Sequence, residues 1–260
     1  MKNNSDSKLL LGISIFLVIF TILPIIAPIA AHFNLQIISD PIYWIYQWFC
    51  HQRPWRSYHL FDYQLAMDAR MMLMFGSMAI SSIVIYKTRL NPLKPRYAII
   101  LALIMIFPLG LDGIVQMFAE IQSSNIGALP IYESTNLIRS LTGTILGIGV
   151  AFALFPYLNS EVYAESAKLY IKPIFYSFVL SIVFIMVMVF AWYKTSVIYK
   201  PTNMLFDSGQ RFPGYNYEIT TSAGHSTIER VIKTNDIEKF SSRAKYFDRD
   251  DLLDEYNSKN

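Results

Sequence analysis

Five stretches of this chain, residues 9–31, 65–86, 97–117, 137–157 and 171–193, are almost wholly apolar. A bilayer's hydrocarbon layer is roughly 30 Å thick, and a helix rising about 1.5 Å per residue crosses it in about 20 residues. Each stretch is long enough. Lipid offers no partner to an unpaired backbone N–H or C=O, so each must close its hydrogen bonds within itself as a helix. The expected fold class is therefore all-α, a polytopic integral membrane helix bundle of five transmembrane helices. Composition agrees, with 53% hydrophobic and only 16% charged residues in 260, where soluble domains carry about 25% charged residues.

Lys2 and Lys8 precede the first stretch, as they would in a signal peptide. Its apolar run exceeds the roughly 7–15 residues of a signal core, and "IAPIAAHF" makes a poor cleavage site. It is read as a retained span. Orientation follows from "KTRLNPLKPR", residues 87–96, which carries Lys87, Arg89, Lys94 and Arg96 and no acid. Such a loop belongs in the cytoplasm. The expected localisation is thus a cell membrane, with the N-terminus cytoplasmic and the C-terminal tail extracytoplasmic. Residues 1–193 form the transmembrane domain and 194–260 a small or partly disordered tail, in which six Lys and four Arg balance ten acids. Within the tail, "YNYEIT" alternates as a strand does and "STIERVIKTNDIEKF" has a helical period. The net charge of +3 gives no ground for a nucleic-acid partner. A single cysteine, Cys50, excludes an intrachain disulfide framework.

The polar residues gather unevenly. Asp40 and Pro41 resemble a helix start, an N-cap followed by proline at the first helical position. The run "IYWIYQWFCH" that follows is too short to span, and its Tyr43, Trp44, Tyr46 and Trp48 suit an interfacial helix over residues 41–51. Gln47, Cys50 and His51 share one side of it. Asp68 and Arg70 fall in the first two turns of the second span. Asp112 and Gln116 lie four apart in the third, after "FPLGLDG", while Asn136 and Arg139 open the fourth. A charge inside a span costs about 2.5–3.5 kcal/mol on insertion scales, so four of them call for pairing or a watery pocket. Asp68, Arg70 and Arg139 are shallow in the outer half, and Asp112, about 22 Å along its span, lies there too. Asp68 with Arg139, or Asp112 with Arg70, would make an ion pair. Arg139, Gly143, Gly147 and Ala151 recur every four residues, and a stripe of small residues lets a neighbouring helix come close.

The stretches "CHQRPWRS" (50–57), "DARMMLMFG" (68–76), "LDGIVQ" (111–116) and "ESTNLIRSLTGTILG" (133–147) resemble the domain-of-unknown-function family 2085, prokaryotic membrane proteins with a Cys-His-Gln motif. The resemblance covers roughly residues 10–157 and leaves the fifth span and tail outside. Many members carry two cysteines flanking an Ala-Arg pair at the start of the second span; here Asp68 and Met71 stand there. The resemblance therefore supplies positions and no chemistry, and a paired-thiol site loses its ground in this chain.

The expected function is a binding or catalytic module whose site faces outward, with His51, Gln52, Arg56, Asp68, Arg70, Asp112, Gln116, Asn136 and Arg139 as ligand contacts. A small anionic, quinone-like or lipid-headgroup ligand would fit it, and the lipid bilayer is a partner in any case. No cofactor is implied and no catalytic residue assigned; in an enzyme, His51 or Asp112 would move the proton and the arginines would hold negative charge. Cys50, His51, His59 and Asp68 are acceptable metal-ligand types, but they lack a dense ligand spacing, and adjacent Cys and His do not readily share one ion. A transporter or channel is one alternative; it would require polar residues to continue along the inner halves of the spans. A structural subunit of a larger membrane complex is the other. Arg53, Arg56 and Trp55 also serve as interface anchors.

Overall fold

The computed structural model of the chain describes residues 4–50, 56–61, 63–126, 132, 134–160, 162–164, 166–196, 215–219, 228–233 and 245–247. Among these, six α-helices are found: α1 (Asn4–His32), α2 (Gln36–Tyr46), α3 (Ala69–Thr88), α4 (Pro95–Ile126), α5 (Asn136–Leu154) and α6 (Ile171–Thr195). Five are long and apolar enough to span, over Lys8–His32, Ala69–Thr88, Pro95–Ala119, Asn136–Leu158 and Ala167–Thr195. The polytopic helical fold expected from the apolar stretches is what forms. Short antiparallel strands accompany it, β1 (His59–Leu60) with β2 (Tyr63–Gln64), and β3 (Tyr215–Ile219), β4 (Ile228–Lys233) and β5 (Lys245–Phe247).

Two boundaries differ from expectation for local reasons. The N–H of Leu65 donates to Tyr58 O at 2.8 Å and that of Ala66 to Pro24 O at 3.4 Å. Both donors are thus committed outside a helix, so α3 begins at Ala69 and Asp68 precedes its first turn. The Pro24 carbonyl is available because residue 28, its helical partner four positions on, is a proline without an N–H. The short helix expected over residues 41–51 is α2, which begins at Gln36 rather than Pro41 and ends at Tyr46. Asn34, at φ 57°, ends α1 in the left-handed region, and Leu35 N donates to Ala30 O at 2.8 Å. The next helix starts as soon as that turn closes. Asp40 accepts a hydrogen bond from Ser39 Oγ at 2.9 Å, and Pro41 lies inside α2.

The chain divides into two compact units. Residues 1–23, 69–113 and 138–187 form the first, which holds most of the spans. Here α3 and α5 are the inner helices: 50% and 61% of their spans are buried, against 11% for α4, whose Ile99, Leu103, Phe107 and Leu111 are exposed. Gly76 of α3 sits where a Cβ would be 2.7 Å from Phe184 of α6 and 3.4 Å from Thr21 of α1. Phe20 of α1 packs edge-on against Phe75, centroids 4.8 Å apart. At the end where α3 gives way to α4, the basic loop is tied down. Leu90 O accepts from Asn159 Nδ2 at 3.2 Å, Asn91 O from the Tyr170 hydroxyl at 2.7 Å, Pro92 O from Ala164 N at 2.8 Å and Leu93 O from the Tyr157 hydroxyl at 2.7 Å.

Residues 24–68, 114–137 and 188–260 form the second unit. Tyr43 of α2 donates its hydroxyl to Gln64 O at 2.6 Å, which ties α2 to the β1–β2 hairpin. Phe61, at φ 52°, turns that hairpin, donates its N–H to Thr195 Oγ1 at 3.2 Å and stacks on His32 with centroids 4.3 Å apart. Trp192 is buried against Tyr58. Burial also pushes the Tyr46 phenol above its ordinary range. In the tail, the strand expected at "YNYEIT" is β3. The stretch with a helical period instead supplies β4: Val231 and Ile232 are β-branched, and Val231 is the register partner of Tyr217 on one side and Phe247 on the other.

Candidate functional site

In the first unit the site is an ion pair between the inner helices and the lipid-facing one. Arg70 is the second residue of α3, and its Nη2 donates to Asp112 Oδ2 of α4. Side-chain exposure is 20% for the arginine and 5% for the aspartate. The pair expected between Asp112 and Arg70 is therefore formed. It explains how α4 keeps a carboxylate in an apolar span, since leaving either partner alone in low dielectric would cost several kcal/mol. Arg70 Nε is also buried, and it has no hydrogen-bond partner among the described residues.

Arg139 enters the same unit from α5 and is 2% exposed. Its stripe does what the sequence spacing predicts, and the neighbour is α3. A Cβ on Gly143 would collide with the Arg70 carbonyl, and one on Gly147 with the Met74 carbonyl and Ser77 Oγ. The contact advances four residues on each helix at once, so α3 and α5 run parallel with their backbones touching. Ser77 Oγ donates across the seam to Thr144 O at 3.1 Å. Gly149 makes the corresponding close approach to Met105 of α4. Arg70 is level with both Gly143 and Asp112; from there to the Gly149–Met105 contact is six residues down α5 and seven up α4. The three helices are thus in consistent register. Arg139 lies one turn, about 6 Å, before Gly143 on the face turned to α3, and Asp112 is about 26 Å from the start of α4 at Pro95.

The remaining sequence candidates fall in the second unit or outside the described residues. Cys50 is buried, and its Sγ accepts from Asp68 N at 3.3 Å. Asn136, 2% exposed, donates Nδ2 to Ser57 O at 3.3 Å, while its Oδ1 finds no partner among the described residues. Both side chains hold the connection that leads into α3. His59 is fully buried with its ring 5.8 Å from that of Trp192. Arg56 is half-buried and Gln116 buried, one helical turn beyond Asp112. His51 and Gln52, like Arg53 and Trp55, lie outside the described residues. Asp68 and Arg139 belong to different units. Among the described residues no group of three His, Cys, Asp or Glu side chains could hold a metal ion. The sequence reading passed over Trp192, because it stands at the end of an apolar run where an aromatic residue looks like an interface anchor. It also passed over the buried Ser134 and Ser140, small hydroxyls within a motif read for its Asn and Arg.

The family described as "Predicted membrane protein (DUF2085)" matches residues 50–153, a stretch that begins at Cys50 and contains α3, α4 and nearly all of α5. This is narrower than the 10–157 of the resemblance, and leaves α1 outside. An uncharacterised protein of Methanocaldococcus jannaschii is 28% identical over 133 residues, which cover 50% of this chain and 76% of the relative. No solved structure matches. The chain is similar to membrane proteins, and its apolar helices make it one: an integral, multi-pass membrane protein.

Proposed function

We propose that this protein is a membrane-embedded binding module that takes a small anionic ligand at the end of the spans that carries the Arg70–Asp112 pair, with Arg139 about one helical turn from the level of Arg70. The observation that carries the reading is the partly used guanidinium of Arg70. Its Nη2 is spent on Asp112, while Nε is buried with no acceptor among the described residues, and a buried charged donor left unsatisfied costs several kcal/mol. A carboxylate or phosphate oxygen would satisfy that donor, and Asp112 would fix the guanidinium that receives it. An intramembrane charge is a site hypothesis by default.

The basic loop 87–96 supports an orientation with the opposite end in the cytoplasm, this end outward and the tail extracytoplasmic. The α3–α5 seam offers no path to a solute, since the backbone contacts at Gly143 and Gly147 leave no room between those two helices.

The test is a thermal-unfolding titration of the purified full chain in detergent against inorganic phosphate, sulfate and short carboxylic acids. At least one should raise Tm with concentration, because a ligand that binds only the folded state stabilises it, and Arg70→Gln should abolish that rise. If no anion shifts Tm in the wild type, the binding reading is wrong and the ion pair is structural. A reporter fused after Asn260 tests the orientation, and a cytoplasmic signal would reverse it.

A further inference from the structure

A second feature of the first unit lies at the opposite, basic end. A groove of about 650 Å³ opens between α4, α5 and α6. It is lined by Tyr97, Ile100 and Ile104 of α4, Ile148 of α5, and Ile174 and Phe178 of α6. Apart from its tyrosines, every lining group is apolar. From Tyr97 to Met105 the wall runs about 12 Å along α4, most of a hydrocarbon leaflet of roughly 15 Å. Its volume is that of a site for a small organic molecule, roughly 300–1,000 Å³. A groove of this shape takes a hydrocarbon chain.

The rim says which chain. Lys94 and Arg96 stand beside lining residues Leu93 and Tyr97 on one wall, and Lys168 and Lys172 beside Ala167 and Ile171 on the other; all four are exposed. The two basic segments are held together by the Tyr170 hydroxyl on Asn91 O at 2.7 Å and by Ala164 N on Pro92 O at 2.8 Å. The Arg96 guanidinium lies 4.6 Å from the centre of the Tyr97 ring, with Nη2 2.8 Å from its hydroxyl. No acid interrupts residues 87–96 or 166–172. Four exposed cations, each next in sequence to a residue lining the basic end of an apolar groove of leaflet depth, form a complement to one kind of molecule, a lipid with a negative headgroup.

We propose that this groove is a binding site for an anionic phospholipid of the surrounding bilayer, with an acyl chain between α4 and α6 and the phosphate held among Lys94, Arg96, Lys168 and Lys172. The site is independent of the Arg70–Asp112 group, whose aspartate lies toward the other end of α4. A lysine or arginine near an anionic lipid surface contributes about fivefold to its affinity, so two removed cations should cost about 25-fold.

Native mass spectrometry of the delipidated full chain, titrated with phosphatidylglycerol or with phosphatidylcholine of the same acyl chains, tests this. One tightly retained phosphatidylglycerol is expected, with phosphatidylcholine retained far more weakly. Arg96→Gln with Lys172→Gln should lose about 25-fold in phosphatidylglycerol affinity. Ile104→Trp, at a position 63% exposed and so tolerant of bulk, should fill the groove and displace the lipid while Tm in detergent stays near wild type. Equal retention of the two lipids by the wild type, or unchanged phosphatidylglycerol affinity in either variant, overturns the proposal.

Discussion

Gly143 of α5 lies directly on the backbone carbonyl of Arg70, with no space between the two helices for a methyl group. The contact fixes the height of Arg70 relative to α5, and so brings the residue that holds Asp112 to within about one turn of Arg139. Packing and charge placement are here one constraint.

Gly143→Ala should therefore push α3 from α5 and lower stability by about 1–3 kcal/mol, the usual cost of overpacking. Gly147→Ala should behave alike, because its Cβ would meet both Met74 O and Ser77 Oγ. Gly110→Ala and Gly113→Ala, where nothing lies within 4 Å of the added carbon, should be neutral or slightly stabilising, since alanine favours helix over glycine by about 1 kcal/mol. Unfolding midpoints in detergent decide it, and a Gly143→Ala midpoint equal to that of Gly113→Ala would remove the close approach from the account.

Asp112→Asn should destabilise more than the double variant Asp112→Asn with Arg70→Gln, because the single change strands a guanidinium in a poorly solvated place. With Arg70 20% exposed, solvent screens part of that penalty, and about 1–2 kcal/mol is the expected coupling. A double-mutant cycle on unfolding free energies measures it. Strict additivity would mean that the pair contributes nothing to the fold.

The sequence was most informative where one physical rule acts alone. Span number follows from apolar length, and the α3–α5 seam was foreshadowed by Arg139, Gly143, Gly147 and Ala151, since only a helix makes residues four apart coincide. The Asp112–Arg70 pair was legible because two opposite charges in apolar spans have few alternatives. What stayed hidden depends on contacts between distant segments. Nothing near Leu65 says that its N–H will go to Tyr58 and that of Ala66 to Pro24, so the start of α3 was placed four residues early. Asp40 and Pro41 obey the rule for a helix start, yet the turn at Asn34 delivers the chain into a helix sooner. In the tail, pairing with β3 and β5 outweighs the helical period of the stretch containing Ile228–Lys233.

The loop between α3 and α4 should be a measurable latch. Leu90 O depends on Asn159, and Leu93 O on the Tyr157 hydroxyl, so Asn159→Ala or Tyr157→Phe each removes one hydrogen bond worth about 1 kcal/mol. The double variant should make Arg89 and Arg96 easier for trypsin to reach. Cleavage rates in opened membrane vesicles report this, and rates unchanged from wild type would show that the loop is held by other means.

Cys50 provides a probe of the second unit that needs no substitution. It is the chain's only cysteine, it is 5% exposed, and Asp68 N points at its sulfur from 3.3 Å. A thiol so enclosed reacts only when the segment around it opens. Maleimide labelling of the folded protein should therefore run at least about tenfold slower than in denaturant, where 1.4 kcal/mol of opening free energy already gives that factor. Asn136→Ala, which releases the Ser57 carbonyl, should speed labelling while leaving the span helices intact by circular dichroism. Should Cys50 of the folded wild type label as fast as the denatured chain, the enclosure of its thiol would be refuted, and with it the role given to Cys50 in holding the approach to α3.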